Sequence, residues 1–402
     1  MSDSAETTNN GAPSIQKSAS TSQILQESLV DVITALTGGT IQTSEQLSVV
    51  NTTLLASGGY NYVWLVKVKA PGHDGEGKRI HQFVYRIPKA DALLPDQLEN
   101  EVAWLTYVSQ HTSIPVPKVY AYSSKQPHSF VALEYIDGQP LGSAYKDCTA
   151  DQQETLCTEI ANIIVQMAEL RFDKIGGLLP SHELGPTVEG VKLFKGRDKF
   201  HSHAHYNIGP YSTTKDYILA YYDKEICYYS HASNDDIDWS LFYPADVETV
   251  SRDLEDAGDE RQALFERKEA FVEELNRERE KVAQDEEGFG KEMPFVLCHG
   301  DFEGRNVLVR EGRVVAVIDW EFAGSFPLCE MLAGKPLTIV EYTDRCEEDE
   351  EAEKDAEWCN KIIDKVEEFA IEREWSTENI DLLLGQGNEI LDRAREEMFP
   401  TI

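Results

Sequence analysis

The 402 residues, 41% apolar and 27% charged, are enough for two separately packed cores and are ordinary for a globular protein. Acidic residues number 72 against 37 basic ones, a net charge of −35 that repels nucleic-acid phosphates and is compatible with cationic small molecules, although acidity also serves solubility. No apolar run reaches the roughly 18–20 residues that span a bilayer, and the opening MSDSAETTNNGAPS has neither the basic-then-apolar pattern of a secretory signal nor the arginines of a mitochondrial presequence. The expectation is a cytoplasmic protein with no nucleic-acid and no membrane partner. The seven cysteines are scattered, odd in number and never spaced CxxC, as free thiols in a reducing compartment would be.

Residues 1–23, rich in Ser, Thr, Asn and Gly, are expected to form a disordered tail. A helical extension over 24–48 follows, with Ile24, Leu25, Leu29, Val32, Ile33 and Leu36 as its apolar stripe and Gly38-Gly39 as its stop. Val49–Leu55 and Tyr62–Val68 alternate as strands around Ser57-Gly58-Gly59-Tyr60-Asn61, and His81–Ile87 is a third strand closed by Pro88. Pro71–Lys78, with three glycines, is a hairpin tip. A helix is predicted over Asp96–Gln110, then strands over Val116–Tyr122 and Ser129–Tyr135. The remainder is read as largely helical, at 151–170, through much of 245–285 and at 350–398, with a β-rich island at Phe295–Trp320. The charged stretches 249–286 and 343–357 are expected to be solvated helix faces and an acidic loop. The class is therefore α+β, with a small β-rich unit over 49–137 and a large, mostly α-helical one over 138–402.

The sharpest signal is FVLCHGDFEGRNVLVREGRVVAVIDWEFAG, residues 295–324. Two apolar strands joined at Glu311-Gly312 carry Asp301, Asn306 and Asp319 to one end, where three oxygen-bearing side chains converge. Phosphoryl transfer needs such a set: a carboxylate for the acceptor hydroxyl, and oxygen ligands that hold Mg²⁺ against nucleotide phosphates.

HGDFEGRNVLV followed by VIDWEFA resembles the signature of the aminoglycoside phosphotransferase family, to which choline, homoserine and fructosamine kinases are related. The resemblance covers roughly residues 50–335 and implies a protein-kinase-like bilobal fold. It also implies ATP and Mg²⁺ as cofactors and a small-molecule acceptor. By the same resemblance Asp301 is the catalytic Asp, Asn306 and Asp319 are magnesium ligands, and His299 buttresses the loop. Gly300, Glu303 and DWE depart from the HRDxKxxN and DFG of protein kinases, and no APE follows, which favours the small-molecule branch.

In register with that signature, Ser57, Gly58, Gly59, Tyr60 and Asn61 match a nucleotide-covering loop, glycines letting its backbone approach phosphates. Arg86 matches the lysine that contacts the α- and β-phosphates, and Glu101 its helix partner. Arg is bulkier and planar, so position 86 is compatible either with a bidentate phosphate contact or with a weakened enzyme. Strand parity sets Val84 and Arg86 opposite Phe83, Tyr85 and Ile87. Lys89, beyond Pro88, is not expected to substitute. In VALEYIDG, Glu134 and Ile136 match the backbone positions that hold adenine.

Two features invite other readings. His201, His203 and His205 alternate as a metal site would, or form a loop over the acceptor pocket. The tyrosines from Tyr206 to Tyr229, with Trp239, are compatible with a cage for a cationic amine or with ordinary helix packing. The leading function is transfer of the ATP γ-phosphoryl to a small-molecule hydroxyl; the alternative is a nucleotide-binding pseudokinase acting through protein partners.

Overall fold

The structure, a computed structural model, describes residues 19–39, 41, 43–71, 77–90, 92–188, 197–243, 258, 260–285, 293–332, 349–386 and 389–396. The described residues up to Leu98, together with Pro117–Tyr135, form one compact unit; Glu99–Val116 and the described residues from Ile136 onward form a second. Residues 1–18 of the expected tail, 72–76 of the hairpin tip, and 249–257, 259, 286 and 343–348 of the charged stretches lie outside the described residues. Among the described residues no helix is long and apolar enough to cross a membrane.

The first unit is a five-stranded antiparallel sheet with one helix packed on it. Helix α1 (Ala19–Thr37) begins ahead of Ile24, where the apolar stripe starts. Strands β1 (Ser48–Ser57), β2 (Asn61–Pro71) and β3 (Lys78–Pro88) are followed by helix α2 (Asp96–His111), β4 (Val119–Ser123) and β5 (Phe130–Glu134), in the sheet order β1-β2-β3-β5-β4. Trp64, Val66, Val68 and Ala70 alternate inward from β2, and Phe83, Tyr85 and Ile87 from β3, to meet Ile24, Leu25, Leu29, Val32 and Ile33 of α1. Side chains of this size each contribute about 1.5–3 kcal/mol on full burial. One polar contact sits inside this core, between Ser28 Oγ and Tyr85 Oη at 2.9 Å.

From Glu99 onward α2 groups with the second unit, not with the 49–137 segment expected from the order of elements. Its Trp104 is fully buried and meets Phe172 edge-on at 5.5 Å.

In the second unit, helix α3 (Ala150–Glu169) is started by a capping box in which Thr149 and Gln152 exchange bonds. It is followed by α4 (Thr214–His231) and α5 (Arg261–Gln284). Strand β6 (Phe295–Cys298) lies between β9 (Gly324–Pro327) and the short strand Arg171–Phe172. Strands β7 (Val307–Arg310) and β8 (Arg313–Val317) make a hairpin, with Gln139–Pro140 on its other edge. Glu311 and Gly312 turn that hairpin with φ of 54° and 74°, the left-handed pair a two-residue turn requires. The expected helix over 350–398 divides into α6 (Asp349–Glu372), α7 (Thr377–Leu383) and α8 (Glu389–Glu396). Glu374 takes a φ of 59° and Ser376 then caps α7, its Oγ accepting from Asn379 N–H, so the helix cannot continue.

Candidate active site

The site loop leaves β6 at Cys298 and turns at Gly300, whose φ is 80°. A Cβ at Gly300 would stand 2.2 Å from the Phe322 carbonyl oxygen, so glycine is required by both the backbone conformation and the close approach. His299 is buried against Trp320, ring centroids 4.5 Å apart. Asp301 N–H donates to His299 Nδ1 at 3.3 Å, which leaves Nε2 to donate to Ile318 O at 3.0 Å. Burial lowers the imidazole pKa, against weaker opposite pulls from Asp301 and Asp319. His299 is thus a neutral brace that fixes the loop to the end of β8.

Asn306 faces back onto Asp301. Its Nδ2 donates to Asp301 O at 2.8 Å and to Asp301 Oδ2 at 2.9 Å, so its own Oδ1 is the acceptor end. Asp301 Oδ1 accepts from Arg305 at 2.6 Å, and Arg305 also donates to Glu303. Asn306 O receives Ile318 N–H at 2.9 Å. Asn306 precedes β7 and Asp319 follows β8, so the hairpin ends both at one edge. Asp319 is half-buried with a φ of 69°, a left-handed conformation uncommon for aspartate and of the kind held at functional sites by their surroundings.

Asn100 is a residue the sequence reading passed over. It is buried, and its Nδ2 donates to Glu321 O (3.1 Å) and Ala323 O (2.9 Å) while its Oδ1 accepts from Leu178 N–H (2.8 Å). It ties the helix that carries buried Glu101 to the segment following Asp319. No sequence signal marks it: one Asn among the polar positions of a helix has no distinguishing spacing.

The remaining expected site residues belong to the first unit, apart from Ile136. Ser57, Gly58, Gly59, Tyr60 and Asn61 bridge β1 and β2, with Ser57 paired to Tyr62. Lys89 holds this loop: its Nζ donates to Gly58 O at 2.5 Å and Ser57 Oγ at 3.1 Å, and its N–H donates to Tyr60 O at 2.7 Å. Arg86 is buried on β3 between Val63 and Val131, on the face opposite Phe83, Tyr85 and Ile87, as parity requires. Glu134 N–H donates to Lys118 O at 2.8 Å, and Ile136 is half-buried where the second unit resumes.

The donor set at the hairpin end, two carboxylates and an amide oxygen, is all hard oxygen and fits Mg²⁺ rather than a softer metal. Two of the alternating histidines are otherwise engaged. His201 contacts Thr187 O at 3.1 Å and Tyr206 Oη at 3.0 Å, and His205 contacts Ser202 Oγ at 3.0 Å. The tyrosines of α4 pack in the core of the second unit, two of them, Tyr228 and Tyr229, against a cation of the chain's own. Arg197 lies 3.9 Å from the Tyr228 ring centroid and 5.4 Å from that of Tyr229, and its guanidinium pairs with both oxygens of Glu225. Arg197 is 8% exposed and Glu225 1%, so this is an internal ion pair.

The helix-bearing sheet of the first unit and the HGDxxxxN loop and hairpin of the second make an α+β chain of the phosphotransferase class. Within that class the chain belongs to the phosphotransferase enzyme family, which it matches over residues 51–330. Among curated proteins it is 24% identical over 155 residues to altered inheritance of mitochondria protein 9, mitochondrial, of Meyerozyma guilliermondii, covering 34% of this chain and 26% of that one. It is 25% identical over 190 residues to a subtelomeric hrmA-associated cluster protein of Aspergillus fumigatus, covering 42% and 36%. The matches therefore span about a quarter to a third of those relatives. Among solved structures, the gentamicin complex of APH(2″)-IIa aligns with 88% of this chain and 92% of its own at 15% identity and a TM-score of 0.46. The aminoglycoside phosphotransferase APH(2″)-Ib, ADP-bound, aligns with 89% and 95% at 15% identity and a TM-score of 0.43.

Proposed function

We propose that the chain transfers the γ-phosphoryl group of Mg-ATP to a hydroxyl of a small molecule, with Asp301 as the base. The observation that carries this is the arrangement of Asp301, Asn306 and Asp319 around one loop and hairpin, in which Asn306 is bonded to Asp301, and Ile318, next to Asp319, is bonded to both His299 and Asn306. Asp301 is fixed through Oδ2 and through its backbone, so it orients an acceptor hydroxyl without first having to be ordered. It takes the hydroxyl proton as the acceptor oxygen attacks phosphorus and the bond to the leaving nucleotide breaks. Asn306 Oδ1 and the Asp319 carboxylate would hold Mg²⁺, which when bound supplies charge neutralisation to the phosphates. His299, neutral and braced at both nitrogens, keeps the loop in place and takes no part in proton transfer.

The Ser57–Asn61 loop strapped by Lys89 and the buried Arg86, all of the first unit, are assigned to the nucleotide phosphates, and Glu134 and Ile136 to its base. The acidic charge favours protonated amines or amino sugars as acceptors over anionic ones. The aromatic residues of α4 lend no support to a cation cage, because they pack in the core and Arg197 already covers Tyr228 and Tyr229.

The test is Mg²⁺-dependent ATP consumption by the purified chain against pooled hydroxyl-bearing amines and sugars, with Asp301→Asn as control. Acceptor-stimulated turnover lost in the variant supports the reading. Nucleotide binding without turnover in any pool replaces it with a pseudokinase, and Arg86→Lys then tests whether a lysine restores transfer.

A further inference from the structure

We propose that Arg305 is the cation that neutralises the phosphoryl group during transfer, a role separate from the metal and from Asp301. The proposal rests on the kinase reading above. In the sequence His299–Asn306 the charged side chains are Asp301, Glu303 and Arg305, and both ring nitrogens of His299 are engaged, by Asp301 N–H and Ile318 O. Arg305 is therefore the one permanent cation of the loop that would meet the triphosphate. Protein kinases place a lysine at the position taken here by Glu303, so the loop's positive charge has moved two residues along the chain.

The geometry supplies the reach. Arg305 donates to Asp301 Oδ1 at 2.6 Å, and through its other terminal nitrogen to Glu303. Asp301 Oδ2 is already taken by Asn306 at 2.9 Å. Oδ1 is therefore the oxygen that must turn to the incoming hydroxyl, and the guanidinium sits where that hydroxyl arrives. Side-chain exposures of 41% for Arg305 and 25% for Asp301 leave both open to a substrate. A guanidinium that merely held the loop would be redundant, because the loop is already fixed by Asn306 and His299.

In the step, the acceptor O–H breaks and its proton passes to Asp301 Oδ1. The acceptor oxygen bonds to the γ-phosphorus while the bond to the β–γ bridging oxygen breaks, its electron pair leaving with ADP. As Oδ1 turns to the hydroxyl, Arg305, still tethered to Glu303, directs its released N–H groups at the equatorial phosphoryl oxygens. Their planar fork matches those oxygens as a lysine's point charge does not.

The experiment measures binding of MgADP alone and of MgADP with aluminium fluoride, a charged mimic of the phosphoryl group in transit, by calorimetry on the full chain. Wild type is compared with Arg305→Ala, Arg305→Gln and Arg305→Lys. The expected result is MgADP affinity within about twofold for all four, since Arg305 addresses the transferred group. The tightening that aluminium fluoride gives wild type should fall by about 10²–10³-fold in the alanine and glutamine variants, in the range of catalytic arginines in phosphoryl transfer. Lysine should restore part of it, and added guanidinium should restore part of it in the alanine variant. An alanine variant that retains the wild-type tightening overturns the proposal and leaves Arg305 a loop clamp. A wild type that binds MgADP and aluminium fluoride no more tightly than MgADP alone also overturns it, with nucleotide binding intact. A wild type that binds no MgADP removes the kinase reading itself, and this proposal with it.

Discussion

Replacing Asn100 by alanine deletes three hydrogen bonds at once, to Glu321 O, Ala323 O and from Leu178 N–H. Each is worth about 1 kcal/mol net, but the groups left behind are the larger matter. Asn100 is 2% exposed, so water does not replace its amide without the packing opening, and each orphaned backbone group carries about 1–3 kcal/mol of desolvation. The expected loss is about 3–5 kcal/mol, a melting temperature lower by roughly 10 °C for a unit of this size. Asn100→Asp sharpens the test. A carboxylate still accepts from Leu178 N–H but has nothing to donate to the two carbonyls and repels them, so it should be no more stable than alanine. Urea unfolding followed by tryptophan fluorescence reports the change, since Trp104 and Trp320 are both buried in the second unit. An alanine variant within 1 kcal/mol of wild type, or an aspartate variant clearly more stable than the alanine one, would refute the account.

Gly300→Ala should lose about 2 kcal/mol or more from its left-handed backbone and the contact with Phe322 O, and should abolish magnesium-dependent turnover, both read on the same preparation. Arg197→Ala leaves Glu225 charged and unpaired in the core and should lose about 3–5 kcal/mol by chemical denaturation. The double change Arg197→Met with Glu225→Leu should lose less; if it loses more, the pair is more than a compensated internal charge. Burial lowers the folded-state pKa of His299 below its ordinary value of 6.5, so between the two values the unfolded chain binds the extra proton. Stability conferred by the neutral ring is therefore full above pH 6.5 and falls as pH drops below it, with a slope approaching about 1.4 kcal/mol per pH unit. His299→Gln should flatten that part of the stability profile.

The sheet of the first unit was legible because its strands alternate cleanly: parity sets Phe83, Tyr85 and Ile87 on one face of β3, and those three face the core that α1 completes. The β7–β8 hairpin was legible because Glu311-Gly312 is flanked by two apolar runs. Helix α4 was not among the predicted elements. Its tyrosines and charges mask the helical period, and what stabilises it is tertiary: Thr213 caps it and the aromatic core encloses it. The long C-terminal helix was overextended because Glu374 in a left-handed turn carries no compositional mark. Within the site, residue types and spacing pointed to Asp301, Asn306 and Asp319, whereas the roles of Asn100, Lys89 and Arg305 depend on what each reaches across the fold. The tyrosine cluster is the converse case: composition permits a cage, and only the folded chain reveals that its members pack in the core, with Arg197 against Tyr228 and Tyr229.

The bonds that brace the segment after β8 also limit how the protein is controlled. Ile318 is held through its carbonyl by His299 and through its N–H by Asn306, and Asn100 secures Glu321 and Ala323. Many kinases switch off by swinging the corresponding aspartate and its neighbour out of place. Here that swing would break every one of these bonds together and expose a packed glycine-to-carbonyl contact at Gly300. In the proposed reading the site is thus braced within the fold from the outset, and control falls to the supply of substrates and to the Ser57–Tyr60 loop, whose exposed lysine strap is the more easily undone.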